Sequence, residues 1–465
     1  MKRVLTASVL ATATTLAQAT PLYHPPGPNL TNGAVSNGQS SMSDITNPAA
    51  GAAVLKTNGN QYRFGVLSSI GGGAEFGKVD DLYDKVNTQA QDAFQNGQNV
   101  NINVITATGT DIDNAINGTI ADINNILKEV SSDDGYAKLF ASAHAPVMPV
   151  VVAHQALGGS LVLDFNGSFS TKIHALQATI QDTGFGAAIQ ADVLDNGIID
   201  GTYNNGETSV DLTDPTNPVI TINNDSSVII SAATQTELAF GYSRPVTELA
   251  GGTLYGGLRG RYHKIGKARA AIRLGSLDDA EQAFKDAMDS DFVEKSALGL
   301  DAGVLWVNDN YRLGATVANI NEPTFDFGDV SNISSYGTEI GKLIRETNKY
   351  TMERQITLEG ALYTQDQMLV LSGAFDTNAI ADALGDEYQW ATLSAAFNFD
   401  NWLVPGLRIG IRKNMAGTNI QYLSAGMTLF KVLNLDYAQS SDTVTIDGTT
   451  VPRGFIANLG LELTF

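Results

Sequence analysis

The final stretch of the chain, residues 455–465, constrains the fold more than any other segment. Its even-numbered positions are polar or small, with Ile456 as the apolar exception. Because the side chains of a strand point alternately to two faces, this segment has one apolar face and one polar face. The pattern fits a soluble sheet packed on a core, or a transmembrane barrel with lipid outside and a polar lumen inside. The apolar face comprises Phe455, Ala457, Leu459, Leu461, Leu463 and Phe465.

The N-terminus carries the pattern of an export signal. Lys2 and Arg3 form a basic start, residues 4–16 are weakly apolar, and residues 17–19 are Ala-Gln-Ala, which fits a cleavage site. We therefore expect residues 1–19 to be a signal peptide that is removed after Ala19. No later run approaches the roughly 20 apolar residues of a membrane-spanning helix. An exported integral protein with this sequence must therefore cross the membrane as a closed barrel.

Composition and charge exclude several classes of function. The chain of 465 residues has no cysteine, which excludes disulfides, thiolate metal sites, thiol catalysis and a lipoprotein anchor. Its net charge of −21 becomes −23 once Lys2 and Arg3 are removed. Such an acidic chain lacks the basic surface that direct nucleic-acid binding needs. Its length fits about two or three soluble domains, and one large barrel equally well.

Strand patterns dominate from Ser160 onward. Together with a first strand that begins near Gln61 and another around residues 147–155, they number about 14 to 16. Each runs for roughly 8 to 14 residues, near the length of a tilted membrane strand. Separate strands are predicted at residues 161–165 and 173–180, and at 253–263 and 268–274. We therefore predict an all-β fold, a transmembrane outer-membrane β-barrel of about 14 antiparallel strands over residues 59–465.

Two insertions show helical spacing instead. They cover about residues 78–130 and 277–290, and Thr110 with Asp111 supplies a candidate N-cap in the first. In a barrel, such helices lie above the rim or enter the lumen. Packing of these helices on one another is favoured over a role in lining a binding site.

Aromatic residues near the strand ends predict girdles at the two membrane interfaces. The soluble alternative would make them core residues, but it leaves the terminal strand unexplained. These aromatic residues are Tyr255, Tyr262, Trp306, Tyr311, Tyr363, Tyr388, Trp390, Trp402 and Tyr422.

Residues 20–51 have no periodicity and cannot build a core of their own. One interpretation is a disordered leader. The other comes from a resemblance: Asn47, Pro48 and Ala49, shortly before the first strand, resemble the N-terminal hatch of the FadL/OmpP1 family of outer-membrane transporters. The resemblance implies that residues 20–58 form a plug inside the lumen, with these three residues as its motif.

A longer run of residues extends the resemblance. Residues 63–73 are Arg-Phe-Gly-Val-Leu-Ser-Ser-Ile-Gly-Gly-Gly, and residues 76–81 are Phe-Gly-Lys-Val-Asp-Asp. Together with residues 47–49 they are similar to the conjugal transfer TraF-like family, whose members look like FadL-type barrels of Gram-negative bacteria, over roughly residues 45–465. The resemblance implies an outer-membrane barrel with a link to plasmid transfer. A thioredoxin-like protein shares the family name, but a chain without cysteine cannot exchange thiols.

The terminal strand carries a resemblance of its own. An amphipathic strand that ends in an aromatic residue resembles the closing strand recognised by the barrel-assembly machinery of Gram-negative bacteria. The resemblance implies that machinery, together with outer-membrane lipid, as partners. The implied assembly signal consists of Phe455, Leu459, Leu461, Leu463 and Phe465.

Charged residues occupy the polar face of several predicted strands. If the apolar faces meet lipid, these charges point into the lumen, because each arginine on the lipid face at mid-membrane would cost about 2–4 kcal/mol. Two roles stay open: arginines paired with acidic groups that brace the wall, or a patch that attracts an anionic small molecule. The predicted lumen-facing charges are Arg259, Arg261, Arg269, Arg273, Arg312, Glu359, Arg408, Arg412 and Glu462.

Catalytic and metal-binding motifs are weak. Residues 192–200 approach a calcium loop, but Leu194 stands where an oxygen ligand is needed, so an acidic turn is favoured. The five histidines are scattered, and no nucleophile elbow or phosphate-binding loop is present. We expect no metal, no cofactor and no enzymatic activity. A Ser/His/Asp group assembled by the fold is the alternative.

Three functions follow from these patterns. The first is a non-enzymatic outer-membrane component associated with conjugal transfer, which the family resemblance implies. The second is a FadL-like passive channel for hydrophobic or anionic small molecules, and the third is a barrel enzyme. An apolar path from a kinked strand to the plug would favour the channel, whereas a lumen filled by its own side chains would favour an assembly or structural role.

Overall fold

The computed structural model describes residues 26–33, 35, 40–196, 201–277 and 292–465. The predicted signal peptide lies outside the described residues, and so does the predicted helix at 277–290 except for its first residue. In chain order the helices are α1 (Asn29–Asn32), α2 (Met42–Thr46), α3 (Ala50–Asn58), α4 (Leu82–Asp84), which continues through a π-helix (Lys85–Ala90) into α5 (Gln91–Gln95), α6 (Gly109–Val130), α7 (Gly186–Asn196) and α8 (Thr338–Glu346).

The strands follow the same order along the chain. They are β1 (Gln61–Phe76), β2 (Gln98–Asn99), β3 (Tyr136–His144), β4 (Val150–His154), β5 (Gly159–Leu176), β6 (Thr202–Asn204), β7 (Thr208–Asp211), β8 (Val219–Ile222), β9 (Ser227–Leu249), β10 (Gly252–Arg273), β11 (Val293–Val307), β12 (Tyr311–Ala318), β13 (Thr324–Asp326), β14 (Lys349–Thr351), β15 (Gln355–Tyr363), β16 (Leu369–Asp376), β17 (Ile380–Ala381), β18 (Glu387–Tyr388), β19 (Trp390–Phe397), β20 (Gly406–Asn414), β21 (Gln421–Leu429), β22 (Leu433–Ser440), β23 (Thr443–Ile446), β24 (Thr449–Pro452) and β25 (Gly454–Thr464).

Most of these strands close into one antiparallel barrel with 14 strand positions. The first and last strands pair from Arg63 opposite Thr464 to Glu75 opposite Gly454. β3 and β4 share one position, since β4 pairs with the start of β1 and β5 and β3 pairs with the remainder. The predicted fold class is confirmed. Around the wall the order is β1, β3/β4, β5, β9, β10, β11, β12, β15, β16, β19, β20, β21, β22 and β25.

Alternation along the strands separates an apolar outer face from a polar lumen. On β10, Leu258 is 61% exposed while the next residue, Arg259, is 2% exposed. On β20, Ile409 is 61% exposed and the preceding Arg408 is 5% exposed. A water-exposed surface would not carry large apolar side chains at every second position around a closed wall. The exposed band, called the apolar belt here, therefore faces acyl chains, and the barrel crosses the outer membrane.

The terminal strand shows the same separation. Phe455, Leu459 and Phe465 are exposed, whereas Asn458 and Glu462 are buried. The apolar exception on the lumen face, Ile456, belongs to an interior apolar cluster that also contains Leu30 of α1. An inward apolar residue is therefore accommodated because the lumen is not filled with water alone.

The two ends of the barrel differ in the length of their connections. At one end the strands are joined by short turns such as residues 250–251 and 308–310, and at the other the insertions span residues 77–135 and 177–226. Transmembrane barrels have short periplasmic turns and longer extracellular loops, so we call these the periplasmic end and the outer end. Phe465, paired with Tyr62, lies at the periplasmic end.

The long insertions build a cap at the outer end with a core of its own. In α6, Ile112, Ile116 and Ile120 are buried in an apolar cluster with residues of α7, β7 and β8. The helix begins with a capping box in which Thr108 is the N-cap and Asp111 its partner, so the predicted cap at Thr110 is wrong. Among the described residues, no helix has both the length and the hydrophobicity needed to cross a membrane.

β5 and β10 are each a single strand where the sequence predicts two. Their outer portions rise beyond the apolar belt together with β9. There, Val228 and Ile230 pack against the cap, while Ile229 and Ala271 on the opposite face pack against residues of α8. A strand that is covered on both faces loses the apolar–polar alternation, which is why the sequence pattern breaks at these positions.

The described residues between 26 and 58, called the N-terminal segment here, lie inside the barrel. Its helix α1 packs against β19, β20 and β22 on one side of the wall. Its helix α3 packs against β4, β5 and β9 on the other side. The segment therefore crosses the lumen, and its contacts with the wall define the site described next.

Candidate functional site

Asn47 fixes the N-terminal segment to the wall through its side-chain amide. Its Nδ2 donates to the carbonyl oxygen of Val304 at 3.1 Å and to Oε1 of Glu359 at 2.7 Å. Its Oδ1 accepts from the backbone N–H of Ala49 at 2.9 Å, which shapes the turn between α2 and α3. All the hydrogen-bonding capacity of this buried amide is thus directed at the turn and the wall.

The wall is recessed where this turn sits. A Cβ at Gly303 would lie 2.1 Å from Oδ1 of Asn47, and a Cβ at Gly257 would lie 2.1 Å from the carbonyl oxygen of Pro48. Real Cβ atoms do not approach other heavy atoms this closely, so any larger residue would push the turn away. The two glycines on neighbouring strands therefore form a seat for residues 47–49.

Arg259 links the wall to the end of α2. Its guanidinium donates to the carbonyl oxygen of Asp44 at 3.2 Å and to that of the following residue. It also pairs with Asp301 at 2.8 Å. Arg261 pairs with the same carboxylate at 2.5 Å and with Glu237 at 3.4 Å. Two buried cations are thereby balanced by two buried anions, which is what a low-dielectric lumen requires.

Glu462 of the terminal strand holds the segment from the opposite side. Its carboxylate accepts from the backbone N–H of Ser41 at 2.7 Å and from the hydroxyl of Ser40 at 2.9 Å. Asn434 donates to the same group at 3.1 Å. Arg63 donates to the carbonyl oxygen of Ser40 at 3.1 Å. Hydrogen bonds to an ionised acceptor are the stronger kind, so this is a second firm anchor.

α1 is held by a third set of contacts. The hydroxyl of Thr31 donates to Asp436 at 2.6 Å, and the same carboxylate pairs with Arg408 at 2.8 Å. A Cβ at Gly410 would lie 2.3 Å from the carbonyl oxygen of Thr31, so the wall is recessed here as well. The N-terminal segment is therefore anchored at three separated points.

The remaining arginines of the set divide into two groups. Arg312 and Arg412 lie over aromatic rings in the lumen, Arg312 at 5.6 Å from the ring of Tyr363 and Arg412 at 4.0 Å from that of Trp390. Arg269 and Arg273 lie beyond the apolar belt and contact the outer loops; Arg273, for example, pairs with Asp225 at 2.8 Å. The charges that the sequence groups together are thus distributed over two levels of the barrel.

Several aromatic residues that the sequence places at the membrane interface face the lumen instead. Tyr388, Trp390 and Tyr422 form an interior cluster, with ring centroids 5.7 and 6.2 Å apart. Tyr255 is buried beside α3. On β10, Tyr255 has the same odd numbering as Arg259, and this shared parity is the signal that could have placed it in the lumen.

The wall is interrupted between β3 and β4. Residues 145–149, called the strand break here, leave the ladder, and the same stretch of β1 shifts its register twice, between Gly65 and Ile70, in its pairing with β25 on the other edge. Val66 and Val147 are exposed on the outer face and are joined by a backbone hydrogen bond of 3.2 Å. Because Leu163 on the neighbouring strand is also exposed, the break lies within the apolar belt.

An apolar cluster lies on the lumen side of the strand break. It consists of Met42 and Ile45 of α2 with Val151 and Val162 of the wall. As at Leu30 and Ile456, the N-terminal segment here covers apolar residues of the wall. Sequence reasoning missed the cluster, because its members come from three separate segments and none of them stands out locally.

Two histidine–carboxylate pairs also face the lumen. His144 lies 3.4 Å from Asp164, and His263 lies 3.3 Å from Glu237. The hydroxyl of Ser168, on the strand next to His144, has no hydrogen-bond partner, so no imidazole activates it. In the described part of the chain, no three His, Cys, Asp or Glu side chains are placed to hold a metal ion. Asp192 to Asp195 are helical in α7, and residues 197–200 lie outside the described residues.

Two cavities flank the N-terminal segment. One of about 240 Å³ lies toward the periplasmic end and is lined by Arg312 and Arg408, among others. The other, of about 170 Å³, lies toward the outer end and is lined by Arg261 and Arg412, among others. The segment therefore has a lumen cavity on its periplasmic side and another on its outer side.

A closed antiparallel barrel with an apolar belt, and with a lumen crossed by its own N-terminal segment, defines an outer-membrane β-barrel protein. The family model described as "F plasmid transfer operon, TraF, protein" matches residues 44–376. That match covers most of the chain, and the protein belongs to this family. The family predicted from the sequence is confirmed.

The chain is also similar to several solved structures. A Pseudomonas aeruginosa FadL homologue matches with a TM-score of 0.39 and 11% identity, covering 97% of this chain and 99% of that one. A mutant of TodX, a monoaromatic hydrocarbon channel, matches with a TM-score of 0.36 and 11% identity, covering 91% and 94%. Outer membrane phospholipase A from Escherichia coli matches with a TM-score of 0.23 and 10% identity, covering 72% and 81%. No protein of curated function matches the sequence.

Proposed function

We propose that the protein is a non-enzymatic passive channel of the outer membrane for small hydrophobic molecules, with the N-terminal segment as its plug. The observation that carries this proposal is the strand break, which lies in the apolar belt and has an apolar cluster behind it. At this level a molecule dissolved in the acyl chains meets a wall without a continuous hydrogen-bonded ladder. The break is therefore the proposed lateral port.

The apolar cluster determines which molecules the port favours. Val151 and Val162 face the lumen, so an apolar molecule that crosses the break stays in contact with hydrocarbon until it reaches Met42. Moving apolar surface from acyl chains to such a cluster costs little free energy, because neither environment is water. A charged molecule would lose its hydration without a partner at the break. Of the two cargo classes left open by the sequence, the geometry favours the hydrophobic one.

The anchors of the N-terminal segment describe the closed state of this channel. Met42 and Ile45 cover the apolar cluster from the lumen side. For α2 to move away, the contacts of Arg259 and Glu462 at its two ends must open together. Each hydrogen bond to a charged group contributes about 1.5–3 kcal/mol, so the closed state dominates until something competes for these contacts.

A disulfide cross-link between plug and wall tests this proposal. Because the chain has no native cysteine, the introduced pair has no competing thiol. In the double variant Met42→Cys with Val151→Cys, oxidation should hold α2 over the port. We expect uptake of a radiolabelled alkane into proteoliposomes to stop in the oxidised protein and to return on reduction. The matched control is Thr324→Cys with Thr351→Cys, whose hydroxyls lie 2.9 Å apart on the paired outer strands β13 and β14. Equal uptake by the oxidised plug cross-link and its reduced form would refute the channel.

A second candidate function is a component of conjugal transfer, which the family description favours. Residues 77–135 and 177–226, which build the cap, hold eighteen Asp and Glu against three Lys and Arg, a net charge of −15 out of −21 for the whole chain. Such a surface repels nucleic-acid phosphates, so a role in transfer would involve the cell surface and not the DNA itself. Plasmid transfer frequency in a strain that lacks the protein tests this candidate. If the oxidised plug cross-link restores transfer, the role is structural; if only its reduced form does, the role needs the channel.

A further inference from the structure

The outer-side cavity of about 170 Å³ has a lining drawn from three parts of the chain. Asn29 and Ile45 belong to the N-terminal segment. Gln355 and Asn319 lie at the outer ends of wall strands, and Trp390 belongs to the interior aromatic cluster. The cavity is therefore complete when the N-terminal segment is in place.

Four neutral polar groups of this lining have no hydrogen-bond partner in the protein. They are the indole Nε1 of Trp390, the amide Nε2 of Gln355, and the amide Oδ1 atoms of Asn319 and Asn29. Trp390 is 8% exposed and Asn319 is 4% exposed, so bulk solvent does not reach these groups freely. Buried polar groups in folded proteins are almost always hydrogen-bonded to protein, water or ligand. Two donors and two acceptors thus match an occupant that both accepts and donates.

The charges around the cavity are already balanced. Arg261 pairs with Asp301 at 2.5 Å. Arg412 lies over the ring of Trp390, and the same cavity is lined by Asp376, whose carboxylate accepts a 2.9 Å hydrogen bond from the backbone N–H of Trp390. A charged ligand would give up its hydration and find no uncompensated partner. The balance therefore favours a neutral ligand.

We propose that this cavity binds a neutral small molecule with an amide or hydroxyl head and a short alkyl tail. The head accepts from Trp390 and Gln355 and donates to Asn319 and Asn29, while the tail contacts Ile45 and Ile380. A cavity of about 150 Å³ accommodates benzene, so this one of about 170 Å³ takes a slim molecule of about seven or eight non-hydrogen atoms. As a stage in the passage of cargo the site rests on the proposed function, but its occupancy is measurable without transport.

Three probes with one tail and different heads test the proposal. Calorimetric titration of the full-length protein in detergent would use hexanamide, which is neutral, hexanoate, which is anionic, and hexylammonium, which is cationic. We expect hexanamide to bind at least ten-fold more tightly than either ion. Tighter binding of hexanoate would show that Arg412 is not compensated, and no binding of hexanamide would show that the cavity holds water alone. Either result overturns the proposal.

Two variants locate the binding in this cavity. Trp390→Phe removes the indole donor but keeps a ring beneath Arg412, and Gln355→Leu removes the amide. Each should weaken hexanamide binding about five-fold, the effect of one lost hydrogen bond. Trp402→Phe, at an exposed position of the periplasmic end, is the matched control and should bind as the parent does. Equal affinity in all four proteins would place the binding elsewhere and overturn the site.

The two assays separate this inference from the proposed function. If hexanamide binds as expected but the plug cross-link does not change alkane uptake, the proposed binding site is supported and the proposed channel is wrong. If uptake depends on the cross-link but hexanamide does not bind, the channel stands and the site is wrong.

Discussion

Asn47 and Glu359 are 312 positions apart in the chain, yet the amide of the first donates a 2.7 Å hydrogen bond to the carboxylate of the second. The bond joins the turn between α2 and α3 to β15 in the barrel wall. The motif of residues 47–49 is thus held by Glu359, a partner that no local sequence pattern predicts. A substitution at Asn47 is therefore a direct way to weaken the attachment of the N-terminal segment.

Asn47→Asp should loosen this segment without unfolding the barrel. The variant keeps the shape of the side chain but removes its N–H donor and places a second carboxylate beside Glu359. We expect the attachment to weaken by about 1–3 kcal/mol, the cost of leaving buried partners unsatisfied. Limited proteolysis with mass spectrometry would show faster cleavage within residues 40–58. Asn205→Asp, in an exposed outer loop, is the control, and unchanged cleavage in Asn47→Asp would contradict the expectation.

Gly257→Ala should displace the turn at residues 47–49 by steric contact alone. Its new methyl group would lie 2.1 Å from the carbonyl oxygen of Pro48, whereas a Cβ at Gly260 on the same strand would have nothing within 4 Å. We expect Gly257→Ala to raise the open probability in planar bilayers and Gly260→Ala to behave as the parent. Identical conductance traces from the two variants would show that the seat does not control the segment.

The outer loop between β17 and β18 should keep its ion pairs with the barrel wall over a wide pH range. Asp386 in this loop pairs with Lys138 at 2.9 Å and with Lys172. Burial alone would raise the pKa of Asp386, but the two lysines more than offset it and hold the pKa below its ordinary value. A carboxylate with a lowered pKa stabilises the fold above its unfolded pKa of about 4, and the stabilisation is lost as the pH falls through the folded pKa.

Hydrogen exchange of residues 380–388 would measure this effect. We expect equal exchange at about pH 7 and pH 5 after correction for the intrinsic rate, and faster exchange below about pH 4. Asp386→Asn should exchange faster throughout and lose the acid step, while Asp366→Asn at the periplasmic end should match the parent. An acid step that survives in Asp386→Asn would assign the effect to another group.

Removal of Phe465 should impair assembly of the barrel. The backbone of Phe465 pairs with that of Tyr62 at 2.9 and 3.0 Å, but its ring is 71% exposed, so its packing within the folded protein is limited. We predict that its main role is as part of the assembly signal. Deletion should lower the amount of heat-modifiable barrel in the outer membrane several-fold, and Phe399→Ala at the same end should not. Normal amounts after the deletion would rule out this role.

The sequence predicts the barrel because its register is set by large energetic differences. When one side of the wall is lipid, an arginine next to a large apolar residue must face the lumen. Arg259 beside Leu258 and Arg408 beside Ile409 are examples. β3 escaped detection for the opposite reason. It is rich in alanine and serine, and its inward residue Phe140 belongs to the interior apolar cluster, so the alternation is diluted and partly inverted.

The candidate site could be predicted only in part. Residues 47–49 are predicted because their Asn-Pro-Ala element resembles the N-terminal hatch of the FadL/OmpP1 family. The strand break could not be predicted, since no local pattern shows that residues 145–149 leave the ladder or that β1 shifts its register against β25. Charges also mislead: Arg269 and Arg261 share one face of β10, but the strand continues past the membrane, and only the tertiary fold shows where the lumen ends.

β10 runs without interruption from Gly252 to Arg273, and on the way it passes the seat at Gly257 and the anchor at Arg259 before it reaches the cap. Extended backbone is stiff along its length, and the ladder hydrogen bonds couple this strand to β9 and β11 on its two edges. A force exerted on the cap at the cell surface would thus be transmitted to the plug along β10 itself, because no flexible loop interrupts this strand between the two.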